Sequence, residues 1–267
     1  MKTNLKPLDT APCESEWRKE QEKLWEARIA DYKKLDWTRK QDFMNFMVDF
    51  CEPQRHWRVL DIGSGPGGVA VAVLPRVAEV VGVDLMPGMV NLARKEHRDK
   101  SNLRFEQGDM EALPVKENSF DLVTARMVLH HVENCLTGLS EAYRALKPGG
   151  CCVVCEGVPP DHMTRDRYER IFALKELRHT FSEAELINFF DEVGFKNILV
   201  KPYFMRQVSL NNWLQHGALE PHVAEEIRRL HVDADEHFKK IYRLNERDGD
   251  VFMDWKFIII RGWKPAG

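Results

Sequence analysis

The stretch Arg58–Gly68, which reads RVLDIGSGPGG, decides the fold of this chain. Its first half is an apolar strand, and its second half carries glycines at the alternate positions Gly63, Gly65 and Gly67. Glycine reaches positive φ angles and has no Cβ, so the backbone can turn sharply there and pass close to a ligand. The stretch therefore predicts a strand that ends at a loop cradling a nucleotide-like cofactor.

The composition bounds the class of protein. The 267 residues are 43% hydrophobic and 30% charged, enough for one large α/β unit with a full core. The net charge is −3 with acids and bases interspersed, which disfavours a general attraction to nucleic acid or anionic lipid. The six cysteines show no framework spacing and indicate reduced thiols. Because the amino terminus lacks the apolar core of a signal peptide and no apolar run approaches the roughly 20 residues that span a bilayer, we expect a cytoplasmic protein without membrane attachment.

Downstream of the glycine loop, strands alternate with helices. This alternation predicts a parallel sheet with right-handed crossovers and helices on both faces, with its ligand at the carboxyl ends of the strands. Asp84 ends the second strand 19 residues (84 minus 65) after Gly65, near the roughly 20 expected before an acid that binds a ribose. That spacing also fits a nicotinamide dinucleotide, because Gly63, Gly65 and Gly68 satisfy GxGxxG. Four further charged residues follow strands of this sheet: Asp61, Asp109, Arg126 and Glu156.

Helical segments flank this region on both sides. Residues 14–35 and 38–50 carry apolar side chains at helical spacing and are expected to cover the core. As an alternative, they also roof the ligand site, because they lie just upstream of the glycine loop. The elements predicted beyond residue 159 are, in order, a helix over 161–180, a helix opened by the capping signature Ser182–x–x–Glu185, a strand over 196–208, helices over 210–216 and 221–244, a turn at Asp248–Gly249 and a last strand.

Five segments between residues 57 and 157 follow one another in the order of a known family: VLDIGSGPGG, GVDLMPGMVNLAR, FEQGDMEALPV, FDLVTARMVLHHV and EAYRALKPGG. Together they resemble the class I S-adenosylmethionine-dependent methyltransferases, closest to the small-molecule type 11 or UbiE-like group. The resemblance implies an α/β fold, a Rossmann-like seven-stranded mostly parallel sheet with the last strand antiparallel and helices on both faces. An amino-terminal helical cap and a helical insertion before the last strand would complete it.

The resemblance also implies a single methyltransferase domain over residues 1–267. Residues 14–51 would form the helical cap, residues 57–157 the cofactor-binding core, and residues 158–267 the substrate-cap helices and the last two strands. Substrate specificity is expected in this last part, which follows no family signature.

The cofactor that the resemblance implies is S-adenosyl-L-methionine, with S-adenosyl-L-homocysteine as its product. The glycine loop and Arg126 would hold the methionine end, Asp84 would bind the ribose, and Asp109 would accept a hydrogen bond from the adenine amino group. Apolar side chains beside the two acids would pack on the adenine. Capping of the turn is an alternative role for Asp61. The full predicted set is Asp61, Gly63, Ser64, Gly65, Gly67, Asp84, Leu85, Met86, Asp109, Met110 and Arg126.

Three side chains are candidates for catalysis because they follow strands at the mouth of the sheet: His130, His131 and Glu156. Methyl transfer from a sulfonium is an in-line displacement that requires alignment above all, and a general base only where the acceptor is protonated. Adjacent histidines usually point in different directions, so at most one is expected to face the pocket. We predict no metal site, because the histidines are scattered and the Cys152–x–x–Cys155 pair lies in a strand, where that spacing places the two thiols on opposite faces.

The predicted function is methyl transfer to a small molecule in a lidded, largely apolar and aromatic pocket. The carboxy-terminal third supplies many rings for such a pocket, and Phe172, Phe181, Phe189 and Phe190 are expected to extend it. Two alternatives remain, an RNA methyltransferase that modifies the tRNA wobble base and a non-catalytic relative that binds S-adenosylmethionine. The charge pattern disfavours nucleic acid, no membrane partner is expected, and a homodimer is left open.

Overall fold

The sheet predicted from the sequence is present in the computed structural model, which describes residues 15–267. Its strands are β1 (Arg58–Ile62), β2 (Glu79–Asp84), β3 (Leu103–Gln107), β4 (Phe120–Arg126), β5 (Leu146–Gly157), β6 (Lys196–Ser209), β7 (Asn245–Arg247) and β8 (Asp250–Trp263). They lie in the order β3-β2-β1-β4-β5-β8-β6, with β1 to β5 parallel and β8 antiparallel to both of its neighbours. The predicted Rossmann-like fold class is confirmed.

The short strand β7 is a departure from the predicted seven strands. It pairs with the start of β8 as an antiparallel hairpin, so the sheet has eight strands. The hairpin turns at Asp248 and Gly249, whose φ angles are +53° and +73°. Asp-Gly tolerates the two positive φ angles that tight hairpin turns require, so the predicted turn also creates a strand pair.

The helices within residues 15–267 are α1 (Glu16–Arg28), α2 (Gln41–Cys51), α3 (Gly68–Val73), α4 (Pro87–Glu96), α5 (Cys135–Ala145), α6 (Arg165–Lys175), α7 (Glu183–Val193), α8 (Leu210–Gln215), α9 (Pro221–Val232) and α10 (Glu236–Ile241). Helix α7 begins with the predicted capping box, in which the Ser182 and Glu185 side chains each accept from the other residue's amide. Among these described helices, none has the length and apolar character needed to cross a membrane.

Three predicted helices are shorter than expected. The segment 221–244 divides into α9 and α10, because Asp235 caps a new helix by accepting from the Phe238 amide at 2.9 Å. Helix α1 ends at Arg28, after which Leu35 packs beneath the carboxy-terminal helices. The segment 161–180 is helical only to Lys175, and its extended end is held by the His179 amide, which donates to the His130 carbonyl at 2.9 Å. Residue 14, expected in the first helix, lies outside the described residues.

The apolar core has three parts. One cluster lies on each face of the sheet, and Cys152 belongs to one while Cys155 belongs to the other, which confirms that the two thiols point in opposite directions. The third cluster lies beneath α8, α9 and α10 and includes Trp213 and Phe238. The five cysteines among the described residues are free and buried, and Cys13 lies outside the described range.

Candidate functional site

The glycine loop after β1 is fixed by close packing on one side and open on the other. Gly63 has φ +59°, and a Cβ there would lie 2.1 Å from a methyl carbon of Val128. Gly65 has φ +52°, and no atom lies within 4 Å of the position its Cβ would take. Only glycine suits both positions, and Gly65 leaves space for a ligand against the backbone.

Asp84 ties the end of β2 to this loop. Its Oδ2 accepts from the Gly65 amide at 2.7 Å, and its Oδ1 accepts from the Met86 amide at 2.9 Å. Burial raises the pKa of Asp84 above its usual value, while the two backbone donors oppose that rise. The predicted ribose acid therefore also sets the shape of the loop.

A cavity of about 460 Å³ opens at the carboxyl ends of β1, β2 and β4, and we call it the outer cavity. Eight of the predicted cofactor residues line it: Gly63, Gly65, Asp84, Leu85, Met86, Asp109, Met110 and Arg126. Three do not, namely Asp61, Ser64 and Gly67. Most of the residues predicted from the sequence therefore lie together in the wall of the outer cavity.

The side chain of Asp61 is turned into the core. It accepts from the Thr124 hydroxyl at 2.7 Å and from the Ala70 amide in α3 at 3.1 Å. Burial raises its pKa to about 7. This arrangement corresponds to the alternative role, in which Asp61 fixes the turn between β1 and α3. Gly67 serves the same turn as the N-cap of α3, with φ +95°.

Arg126 lies beside the glycine loop in the outer cavity wall, with its Nη2 3.7 Å from the position that a Cβ on Gly68 would take. Its Nε and Nη1 are buried and have no hydrogen-bond partner, and its guanidinium lies 5.7 Å from the centre of the Trp37 ring. Buried donors without an acceptor are rare in native proteins and suggest a missing anionic partner. The carboxylate of S-adenosylmethionine would meet that need beside a loop open at Gly65, so the residues present fit this cofactor.

Helix α1 covers the outer cavity with side chains that the sequence did not single out: Ser15, Trp17, Arg18, Gln21 and Trp25. Trp17 Nε1 donates to the His131 carbonyl at 2.8 Å, and Arg18 Nη1 donates to Asp109 Oδ2 at 2.9 Å. The amphipathic pattern of this segment predicted a cover, but it did not predict which side chains would reach the strand ends.

Glu156 and His130 form a buried pair, and neither of them lines the outer cavity. Glu156 Oε2 lies 2.5 Å from His130 Nδ1, while Oε1 accepts from the amides of Val128 and Leu129 at 3.1 and 2.7 Å. Burial raises the pKa of Glu156 to about 7 and lowers that of His130 well below its usual value. Glu156 lines neither cavity, so the geometry gives it a role in holding the turn at residues 128–131.

His131 occupies a different position from its neighbour. It lines the outer cavity and also a smaller cavity of about 90 Å³ behind it, which we call the inner cavity. Its Nδ1 is buried and has no partner, and burial together with His130 lowers the pKa of His131 well below its usual value. Of the three predicted catalytic residues, His131 alone lines both cavities.

The inner cavity is lined largely by aromatic rings from the helical parts of the chain. Trp25, Tyr32, Met127 and His131 line both cavities and mark the junction between them. The rings around the rest of the inner cavity are Trp37, Tyr168, Phe172, Trp213, Phe238, Tyr242, Trp255 and Phe257. Of the four phenylalanines expected to extend the pocket, only Phe172 does so. Phe181 and Phe190 lie in the core cluster on one face of the sheet, and Phe189 packs against that cluster.

One group of side chains has the geometry of a metal site. Ligand atoms of His130, His131 and Glu176 lie within 4.8 Å of one another. Glu176, however, already accepts from Arg28, Lys175 and Arg178, and these cations repel a metal ion. His130 Nδ1 is engaged with Glu156. The predicted absence of a metal site stays a prediction.

Comparison with known proteins agrees with this geometry. Residues 60–154 match the family model described as the methyltransferase domain. The uncharacterized methyltransferase YcgJ of Bacillus subtilis is 26% identical over 232 residues, which cover 83% of this chain and 90% of that protein. Its crystal structure has a TM-score of 0.76 at 25% identity, over 84% of this chain and 98% of that one.

A demethylmenaquinone methyltransferase from Deinococcus radiodurans is 40% identical over 106 residues, which cover 39% of this chain and 44% of that protein. The fold and these similarities support a class I S-adenosylmethionine-dependent methyltransferase. The core of the chain thus matches the model of a methyltransferase domain, and YcgJ is similar to the chain over most of its length.

Proposed function

We propose that this protein binds S-adenosyl-L-methionine in the outer cavity and transfers its methyl group to a small apolar or aromatic molecule in the inner cavity. The observation that carries the proposal is the junction of the two cavities at Met127 and His131, in the segment that follows β4. A methyl donor in the outer cavity and a methyl acceptor in the inner cavity would face each other across this junction, as an in-line displacement requires.

The chain's own residues would bind and align the reactants. Arg126 would bind the carboxylate of the cofactor, the Gly65 backbone would lie against its methionine part, and Asp84 and Asp109 would contact its ribose and adenine. When bound, the cofactor would supply a methyl group carried on a sulfonium sulfur. After transfer of the methyl group, that sulfur would be left as a neutral thioether. Helix α1 would exclude water, because its side chains cover the outer cavity.

His131 is the side chain that we propose as a proton acceptor. It stands at the junction, its Nδ1 has no partner, and its lowered pKa keeps it neutral at physiological pH. A weak base can remove a proton only from a methyl acceptor that is itself fairly acidic, because proton transfer is efficient when the pKa of the base suits that of the group it deprotonates. His130 and Glu156 would act as positioning residues, since they hold the turn that carries His131.

The inner cavity favours a small molecule over RNA as the acceptor. It is about 90 Å³ and lies behind the outer cavity, among rings from α1, α6, α8 and α10. Relatives named demethylmenaquinone methyltransferase act, by that name, on a small molecule, and they match this chain over its core. A wobble-base enzyme would need a route for a splayed base flanked by basic side chains.

Calorimetric titration of the full chain with S-adenosylmethionine tests the first half of the proposal. Binding in the micromolar range is expected, and no binding at millimolar ligand would overturn it. A screen of small aromatic acceptors with isotopically labelled cofactor, read by mass spectrometry of the products, tests the second half. Cofactor binding without any labelled product across the screen would favour the non-catalytic alternative.

A further inference from the structure

A cluster of basic side chains lies in the wall of the inner cavity. Among the residues that line this cavity, Arg28, Lys175, Arg178 and Lys256 are basic and Glu176 is the one acid. The side chains of Arg28, Lys175 and Arg178 are only 2–8% exposed. The inner cavity is therefore lined mainly by aromatic rings, and the charged side chains in its wall are mostly basic.

Three of these bases share a single carboxylate. Glu176 Oε2 accepts from Arg28 Nη1 at 2.6 Å and from Lys175 Nζ at 2.7 Å, while Oε1 accepts from Arg178 Nη1 at 3.3 Å. Three cations against Glu176 leave an excess of two positive charges, which falls to one when Glu156, a second buried carboxyl that interacts with Arg178, is also ionised. Buried charge in excess of its partners is strongly destabilising unless a further anion compensates it.

Hydrogen-bond donors in the cluster are also left over. Arg28 Nη2 and Arg178 Nη2 are both buried and have no acceptor. Rings give partial compensation, because Arg178 lies 4.3 Å from the centre of the Phe172 ring and Lys175 lies 5.4 Å from that of Trp213. A ring face does not satisfy an N–H donor as an oxygen does, so two guanidinium groups still need an oxyanion.

We propose that Arg28, Lys175 and Arg178 bind the carboxylate of an aromatic acid, which makes the methyl acceptor an aryl carboxylate whose ring lies among the rings of the inner cavity. This inference rests on the proposed function and specifies the substrate class of the same site. A planar carboxylate matches the fork of donors that a guanidinium presents. The other end of such a molecule would face the junction at His131.

Binding of the acid would also act on the proposed base. Arg28 and Arg178 are among the charges that lower the pKa of His131. An anion between them would offset that effect, so His131 would become a better proton acceptor only when the acceptor is in place. The basic cluster would then both bind the carboxylate of the acceptor and make His131 a stronger base.

Matched acids and amides test this inference on the full chain saturated with S-adenosylhomocysteine at pH 6.5. The probes are benzoate, phenylacetate and cinnamate, each beside its neutral amide, together with phenyl phosphate. Calorimetry is expected to show at least one acid binding tenfold or more tighter than its amide. Lys175→Met and Arg178→Met should each reduce that ratio below threefold. The control Lys196→Met removes an exposed charge on β6 outside both cavities and should leave the ratio unchanged.

The outcomes separate this inference from the proposed function. If no acid exceeds its amide, or if the preference survives in both variants, the carboxylate site is overturned. A phenyl phosphate that binds tighter than every acid would overturn the carboxylate in favour of a phosphate. If circular dichroism shows that Arg178→Met does not fold, the ratio of acid to amide affinity in Lys175→Met alone decides whether the carboxylate site exists. Failure of S-adenosylhomocysteine to bind would refute the proposed function, while the same pairs titrated without it still decide the acid preference.

Discussion

Arg18 Nη1 lies 2.9 Å from Asp109 Oδ2, so the first helix is held to the strand-end acid for which the family resemblance implies a contact with adenine. Asp109 Oδ1 accepts from the Glu111 amide at 2.9 Å. A carboxylate has room for further donors, because each oxygen accepts more than one hydrogen bond. The ion pair therefore fastens the cover of the outer cavity at Asp109 and leaves oxygen lone pairs there for the proposed contact with adenine.

Arg18→Ala is expected to speed the release of S-adenosylhomocysteine several-fold while changing the thermal midpoint little. The two side chains are 36% and 23% exposed, and an ion pair of that exposure stabilises a fold by at most about 1 kcal/mol. Stopped-flow tryptophan fluorescence would measure release. Arg39→Ala, which removes an exposed ion pair on the same amino-terminal segment, is the control. An unchanged release rate, or an equal increase in the control, would show that this contact does not fasten the cover.

Gly65→Val is expected to abolish binding of S-adenosylmethionine in a protein that still folds. The substitution places a branched side chain at φ +52° and in the open space of the outer cavity. Gly249→Val is a matched control, because Gly249 also has a positive φ, +73°, and open space around its Cβ position, but it lies in the β7–β8 hairpin. Each variant should lose about 1–3 kcal/mol of stability from backbone strain. Micromolar cofactor affinity in Gly65→Val, measured by calorimetry, would refute the role of the loop.

Glu156→Ala is expected to reduce the free energy of unfolding by several kcal/mol, because it leaves the His130 ring and two backbone amides without their acceptor, and each buried group left unsatisfied costs about 1–3 kcal/mol. Glu156→Gln should lose less, since an amide oxygen can still accept from the Leu129 N–H. Urea denaturation measures both, with the exposed Glu192→Ala on α7 as the control. A Glu156→Ala protein of wild-type stability that lost only turnover would return Glu156 to the list of catalytic residues.

Some site residues were predictable because strand ends fix their position. Asp84 ends one parallel strand and Asp109 follows another, and parallel strands bring their carboxyl ends to one edge of the sheet. Asp61 and Glu156 end strands too, yet their carboxylates face the core. Each is turned inward by amides of a neighbouring turn, at Ala70 and Leu129, and those contacts depend on turn geometry that periodicity does not contain.

The inner cavity was predictable only in its general character. Many rings in the carboxy-terminal third indicated an aromatic pocket, but helix packing decides that Phe172 faces it while Phe181 faces the sheet. The contact between Arg28 and Glu176 joins residues 148 positions apart and arises only when α1 meets the extended end of the α6 segment. Such a pair has no local sequence signal.

Removal of metal is expected to change nothing. His130 Nδ1 is held by Glu156, and Glu176 is surrounded by three cations, so the group of His130, His131 and Glu176 lacks free anionic ligands. Protein dialysed against a chelator should keep its thermal midpoint and its affinity for S-adenosylmethionine. Elemental analysis should find far less than one metal ion per chain. Stoichiometric zinc that disappears in His131→Ala would contradict this prediction.

Affinity for the preferred aromatic acid is expected to fall as the pH rises above about 7. Burial lowers the pKa of Lys175 to about 7, although Glu176 beside it favours the charged form, while Arg28 from α1 and Arg178 oppose it. The ammonium is thus present below about pH 7 and is lost above it, whereas an aromatic acid stays ionised throughout. By linkage, the affinity falls by up to tenfold per pH unit between the pKa of Lys175 in the free protein and its higher pKa in the complex.

Titrations of the acid from pH 6 to pH 9 measure this dependence. The three histidines in the cavity wall add no titration in this range, because burial lowers the pKa values of His130, His131 and His231. Lys175→Arg keeps a charge over the whole range, so its affinity should fall less than that of the wild type. The fall that remains would come from Glu156, whose pKa burial raises to about 7 and whose carboxylate interacts with Arg178. A wild-type affinity that is independent of pH, or an equal fall in Lys175→Arg, would show that the Lys175 ammonium does not contact the acid.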